Sequence, residues 1–233
     1  MKRMNKIAAG LTAFTCLALG FDLPAVAEEG AEHEPHPFGL SVDVGPFTGL
    51  GGILIWRPFD HFGVRGGLHY AKVSLPEFEV EEEYGGANAT YDFEVVYQSA
   101  PLTLDFYPWK HRYFRISAGV LLDRNEFSTE ATGNIEVNGN SYPGEQLNST
   151  VEWDDYAPYL AIGGDFFCFD KAKRWSLGWE IGAAYTGSPT VTVVNSTGNI
   201  PQGDVDAAQK DLEDGVETIT FWVVAKLSLT FRF

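Results

Sequence analysis

Phe221-Trp222-Val223-Val224-Ala225-Lys226-Leu227-Ser228-Leu229-Thr230-Phe231-Arg232-Phe233 closes the chain and alternates without a break. Phe221, Val223, Ala225, Leu227, Leu229, Phe231 and Phe233 fall on one side; Trp222, Val224, Lys226, Ser228, Thr230 and Arg232 fall on the other. Strand side chains alternate faces, so this stretch has one apolar face and one largely polar face. A strand greasy on its outside and charged on its inside suits a closed sheet in lipid, with a polar interior.

Seven earlier segments share the pattern, over residues 38–46, 53–57, 62–71, 94–107, 112–122, 156–167 and 174–187. The connections between the eight segments run short, short, long, short, long, short, long. Turns are expected at 58–61, 108–111 and 168–173. Loops are expected at 47–52, 72–93, 123–153 and 188–216, with a short helix near 204–214 carrying Val205, Ala208 and Leu212 on one side. The fold class this predicts is all-β: an eight-stranded antiparallel up-and-down transmembrane β-barrel with short periplasmic turns and long extracellular loops. An open sheet edge cannot survive in hydrocarbon, so the sheet must close.

The start of the chain fits export. Lys2, Arg3 and Lys6 precede an apolar run from Ile7 to Phe21, and Ala25-Val26-Ala27 offers a small-x-small cleavage site. The expected organisation is a signal peptide over 1–27, a periplasmic N-terminal tail over 28–37 and the barrel over 38–233. Without residues 1–27, basic residues fall from 16 to 13 and acidic ones from 32 to 31, so the net charge becomes −18. Such acidity excludes nucleic-acid binding, which needs basic patches. One cysteine, Cys168, then remains, leaving no intrachain disulfide.

By parity the interior holds Asp43, Arg57, Arg65, Asp105, Arg115, Asp165, Glu180, Lys226 and Arg232, four acids against five bases. Buried charge must be paired, so near balance predicts a network that plugs the lumen. On the second segment Arg57 shares its face with Ile53 and Ile55. Trp56, Trp109, Trp175 and Trp222 lie near strand ends and are expected to sit at the membrane interfaces.

The layout resembles the small eight-stranded outer-membrane barrels, OmpX-like and OmpW-like. The resemblance rests on Arg57-Pro58-Phe59-Asp60-His61-Phe62-Gly63-Val64-Arg65-Gly66-Gly67, on Phe114-Arg115-Ile116-Ser117-Ala118-Gly119-Val120, on Ala157-Pro158-Tyr159-Leu160-Ala161-Ile162-Gly163, on Gly187-Ser188-Pro189 and on the closing Phe231-Arg232-Phe233. It implies location in the outer membrane, contact with its lipid and lipopolysaccharide, and assembly by an insertion machine that reads Phe231 and Phe233. It implies no activity.

No cofactor, metal centre or catalytic residue is expected. Of the five histidines, His33 and His36 lie in the tail and His61 and His111 in turns; His69 alone faces inward on a strand, without a neighbouring hydroxyl or second histidine in sequence. Glu32-His33-Glu34-Pro35-His36 fits no strong metal motif. The acidic loops lack the ligand spacing of an EF-hand and suit a solvated surface. The expected role is display of acidic loops on a stable barrel, for surface interaction or envelope structure. A narrow conduit for small solutes is the alternative, and a lipid-modifying enzyme comes third.

Overall fold

A computed structural model describes residues 36–46, 48–81, 88–170 and 172–233. The expected signal peptide and most of the tail lie outside the described residues. The strands are β1 Phe38–Gly45, β2 Gly49–Trp56, β3 Phe62–Glu81, β4 Asn88–Phe106, β5 Arg115–Asp123, β6 Glu126–Val137, β7 Asn140–Glu152, β8 Tyr156–Cys168, β9 Trp175–Tyr185, β10 Thr190–Asn195 and β11 Phe221–Arg232. One helix, α1, spans Gln202–Val216.

All strand pairs are antiparallel. The order β4-β3-β2-β1-β11-β9-β8-β5 returns to β4, so eight strands close a ring. The register alternates as the periodicity predicts: Leu40 lies opposite Phe231, and Val42 opposite Leu229. Leu40, Val42, Leu54, Leu68, Leu102, Leu104, Leu160, Ile181 and Leu227 project outward and are exposed, whereas Ser41, Asp43, Arg65, Asp105, Ser117 and Glu180 are buried inside.

Two of the expected loops are folded, and a third is largely extended strand. Strands β3 and β4 run on past the ring, so most of 72–93 is paired strand. Most of 123–153 forms the β6–β7 hairpin, and 188–216 contains β10 and α1. Residues 49–52, expected in a turn, belong to β2. Strand β4 changes partner along its length: Ser99–Phe106 pairs with β5, and Ala89–Val96 pairs with β6. At the fork Arg124 donates its backbone N–H to Gln98 O at 2.8 Å. Asn125 Oδ1 accepts the N–H of Gln98 at 3.1 Å, and Asn125 Nδ2 donates to Asp123 Oδ2 at 2.9 Å. The amide of Asn125 thus replaces a ladder partner where the strands part, as buried backbone groups require.

Above the ring stands a second sheet, in the order β10-β7-β6-β4-β3. Asn138 (φ 51°) and Gly139 (φ 79°) form the β6–β7 turn. Two consecutive positive φ values belong to a type I′ turn, whose twist matches the strands it joins. Helix α1 covers one face of this sheet. Val205 packs into a core of Ala131, Ile135, Val137, Leu147, Val151, Val191, Val193 and Ile200, with Ala208 and Leu212 alongside. The expected helix and its apolar side are therefore present, begun by Pro201 as N-cap.

Candidate functional site

Three layers fill the barrel interior. In the middle layer Glu180, from β9, is the hub. Its Oε2 accepts from Arg65 Nη2 at 2.5 Å and from Arg115 Nη2 at 2.7 Å. Its Oε1 accepts from Tyr159 Oη at 2.8 Å and lies 2.8 Å from Lys226 Nζ. Arg65 Nε also donates to Asp105 Oδ2 at 2.5 Å, and Arg65 Nη2 to Ser117 Oγ at 3.0 Å. Lys226 Nζ lies 3.9 Å from Asp43 Oδ2. One carboxylate thus joins β3, β5, β8 and β11. The geometry matches the requirement that buried charges be both paired and hydrogen-bonded.

Nearer the end with the short turns, Arg232 Nη2 meets Asp165 Oδ2 at 2.9 Å, and Ser176 Oγ bridges the two, accepting from Arg232 at 2.8 Å and donating to Asp165 at 3.0 Å. Arg112 Nε, which parity reasoning did not single out, lies 4.0 Å from Asp165. Eight of the nine expected interior charges, Asp43, Arg65, Asp105, Arg115, Asp165, Glu180, Lys226 and Arg232, therefore form these two layers. Arg57 is the exception. Strand β2 ends at Trp56, so Arg57 sits in the following turn. There it donates to the carbonyls of Asp60 and, at 2.8 Å, of Lys110, and its guanidinium lies 4.1 Å from the Tyr107 ring centroid. The inward positions of β2 are filled by Ile53 and Ile55 instead.

The third layer is apolar. Leu121, Ala157, Tyr159, Ala161, Ala184 and Val224 close the interior toward the second sheet, with Trp222 packed on them. Trp222 corrects an expectation: it points inward, as its even position on β11 requires, and does not face the barrel exterior. Its ring lies 5.8 Å from Tyr97, 5.7 Å from Phe127 and 5.4 Å from Trp153. Trp153 Nε1 donates to Ile219 O at 3.0 Å. Phe127 and Trp153 also pack on the core of the second sheet. The aromatic cluster therefore joins the barrel core to the upper core. Below it, the gap between Ile53, Arg65, Pro101, Thr103, Glu180 and Lys226 has no room for a water molecule.

The other expected interface aromatics do face outward. Trp56, Trp109 and Trp175 are exposed. Around the short-turn end, Trp175 lies 4.8 Å from Phe231, Phe62 lies 5.4 Å from Phe106, and Phe38 stacks on Phe233 at 6.4 Å. At the other end of the ring, Tyr70, Tyr156, Tyr185 and Phe221 are exposed. Two aromatic belts thus bound a band of aliphatic side chains.

His69 is 3 % exposed, and Asp43 Oδ2 lies 3.6 Å from its Nε2. Ser41 Oγ donates to Asp43 Oδ1 at 2.5 Å and accepts from Thr230 at 3.1 Å. An acid and a hydroxyl therefore do come near His69 in space, though not in sequence. Neither ring nitrogen has a hydrogen-bond partner, so no base–nucleophile pair is made. Among the described residues no three metal-ligating side chains converge.

Upper-sheet carboxylates also have structural work. Glu145 accepts from Thr197 Oγ1 and, at 2.9 Å, from Asn199 Nδ2. Asp204 accepts from Tyr142 Oη and from Asn138 Nδ2 and Asn140 Nδ2 at 3.2 and 3.1 Å. These donors, the Thr197 and Tyr142 hydroxyls foremost, hold both carboxyls below the usual carboxylate range. A depressed folded-state value gives stability that is full above the unfolded pKa and is lost as pH falls through the folded one. Acidification below about pH 4 is therefore expected to loosen residues 195–205 before the barrel, read as faster amide exchange confined to that stretch. Uniform loosening of barrel and upper sheet would contradict it.

No family model and no curated protein sequence matches the chain. Solved structures do match in fold. CarO2 of Acinetobacter baumannii is 22% identical with a TM-score of 0.57, covering 85% of this chain and 99% of its own. CarO of the same organism is 23% identical with a TM-score of 0.55, covering 87% and 100%. A major outer membrane protein of Thermus thermophilus is 14% identical with a TM-score of 0.46, covering 84% and 98%. The two Acinetobacter chains support the barrel fold; they do not single out the OmpX-like or OmpW-like type.

Proposed function

We propose that the chain is an integral protein of the bacterial outer membrane, in which a plugged eight-stranded barrel anchors a folded acidic domain at the cell surface for interaction with other molecules. The observation that carries this reading is the outer surface of the ring. Leu40, Val42, Leu54, Leu102, Leu104, Leu160 and Leu227 are 49% to 67% exposed, although a soluble protein would bury such residues. Flanked by aromatic belts and wrapped around a charged interior, they suit lipid tails. Phe231 and Phe233 then serve as the signal for the insertion machinery, and lipopolysaccharide and phospholipid are the surrounding partners.

The charge distribution supports an outward orientation of the upper sheet. Residues 72–94, 124–155 and 188–219 hold 20 acidic and three basic residues, so nearly all of the net negative charge lies there. Display is favoured over transport because the interior layers leave no water-sized path, and over catalysis because His69 lacks a hydroxyl partner. Single-channel recording of the refolded chain in a planar bilayer tests this. No discrete steps are expected. Reproducible steps that shift with Asp105→Asn or Arg115→Gln would make the protein a conduit. Protease added to intact cells should cleave within residues 138–200 and spare the barrel; complete resistance there, with cleavage only after the outer membrane is opened, would reverse the orientation.

A further inference from the structure

Helix α1 covers only one face of the upper sheet. Along β4, β6, β7 and β10 the opposite face presents Thr90, Asp92, Glu94 and Val96; Glu126, Ser128, Glu130 and Thr132; Gln146, Asn148, Thr150 and Glu152; and Thr190, Thr192 and Val194. Asp92, Glu126, Glu130 and Glu152 are exposed. The pairing puts Asp92 directly opposite Glu130, and Glu126 directly opposite Glu152. Like charges directly opposite on one sheet face destabilise it. A sheet serving only as structure would alternate charge there, and the described part of this face offers one cation, Lys72, which lies 2.8 Å from Glu94.

A second observation points to a hydrogen-bond donor. Asn148 Nδ2 donates to Ser196 Oγ at 3.2 Å, which fixes the amide, while Asn148 Oδ1 is shielded from solvent and without a partner. It lies on the same face, directly opposite Glu130. The face thus combines carboxylates in repulsive register with an unused carbonyl.

We propose that this bare sheet face docks a lysine- and arginine-rich polypeptide. The inference deepens the surface-interaction reading and rests on it. Cationic side chains inserted between Asp92 and Glu130, and between Glu126 and Glu152, would remove both repulsions, and their N–H groups would supply the donor that Asn148 lacks. A divalent ion fits less well, because no three ligating groups converge among the described residues. Phosphate-bearing lipids and nucleic acids would be repelled. An extended peptide suits the flat surface, since its charged side chains are spaced like the strand positions beneath.

The test is binding of a fluorescent decalysine peptide to the full chain refolded in zwitterionic nanodiscs. Glu126→Gln/Glu130→Gln/Glu152→Gln removes three charges from the face; Asp211→Asn/Glu213→Gln/Asp214→Asn removes three from exposed positions on α1. Binding that weakens with salt is expected, with a loss of about tenfold, worth about 1.4 kcal/mol, for the sheet variant and less than about twofold for the helix variant. Ser128→Lys, which places a cation on the intact face, should weaken binding similarly. Equal losses in both triple variants would reduce the effect to net charge and overturn the proposal, as would the absence of binding by the unaltered chain. Orientation is not at issue in a nanodisc, where both sides are open. A cell-surface protease result that fails therefore counts against the display reading, and a failed peptide titration against the docking face.

Discussion

Glu180→Ala should destabilise the barrel by at least about 3–5 kcal/mol, the cost of leaving a buried ion pair half-made. The reason is the number of partners. Arg65, Arg115, Lys226 and the hydroxyl of Tyr159 all converge on this one carboxylate. Its removal leaves three cations around Asp105 and Asp43, with no water-filled space nearby to solvate them. Urea unfolding of the refolded protein in lipid would measure the loss. Glu180→Gln keeps the shape and an acceptor but not the charge, and should still cost most of it. Adding Arg115→Met to Glu180→Gln removes one of the orphaned cations and should recover part of the loss. Stability within about 1 kcal/mol of the unaltered protein for Glu180→Ala would mean that water enters the interior and that the network is not the plug.

Leu102→Arg should cost about 2–4 kcal/mol in a bilayer, the depth-dependent penalty for a cation at mid-membrane. Leu102 is 55% exposed, lies outward between Gly66 and Val120, and is midway between the two aromatic belts. Leu50→Arg, also outward but opposite Tyr70 at the rim, should cost about 0–1 kcal/mol because the charge reaches the interface. Equal small costs at both sites, measured by unfolding in vesicles, would remove the lipid-facing reading of the ring. An inward arginine is a poor control. Ser117 is fully buried, and its hydroxyl accepts from Arg65, so Ser117→Arg would meet both overpacking and two existing arginines.

The interior was legible because parity is a local rule. Asp43, Asp105, Arg115 and Glu180 face inward wherever their strands pair, and only closure is needed to bring them together. Arg57 departs from the rule because β2 stops at Trp56, and a strand's last residue is set by its neighbours' lengths. Trp222 was misassigned by position, since nearness to a strand end suggested an interface, although its parity already pointed it inward. The Asn138-Gly139 pair was a readable hairpin signal between Ile135-Val137 and Tyr142. It was obscured because β6 and β7 alternate weakly: Ser128, Thr129, Asn148, Ser149 and Thr150 are polar on both faces. Such strands carry little register information of their own.

The sequence by itself determined the ring of eight strands, the face each side chain takes and the inward charge set. These follow from a period of two and from the need to pair buried charge. Tertiary structure alone decided that β4 outlasts the ring and turns from β5 to β6, that three polar connections build a second sheet under α1, and that Asp92 meets Glu130. Each of those depends on which distant strand lies alongside, and cross-strand register between residues dozens of positions apart leaves no mark on local periodicity.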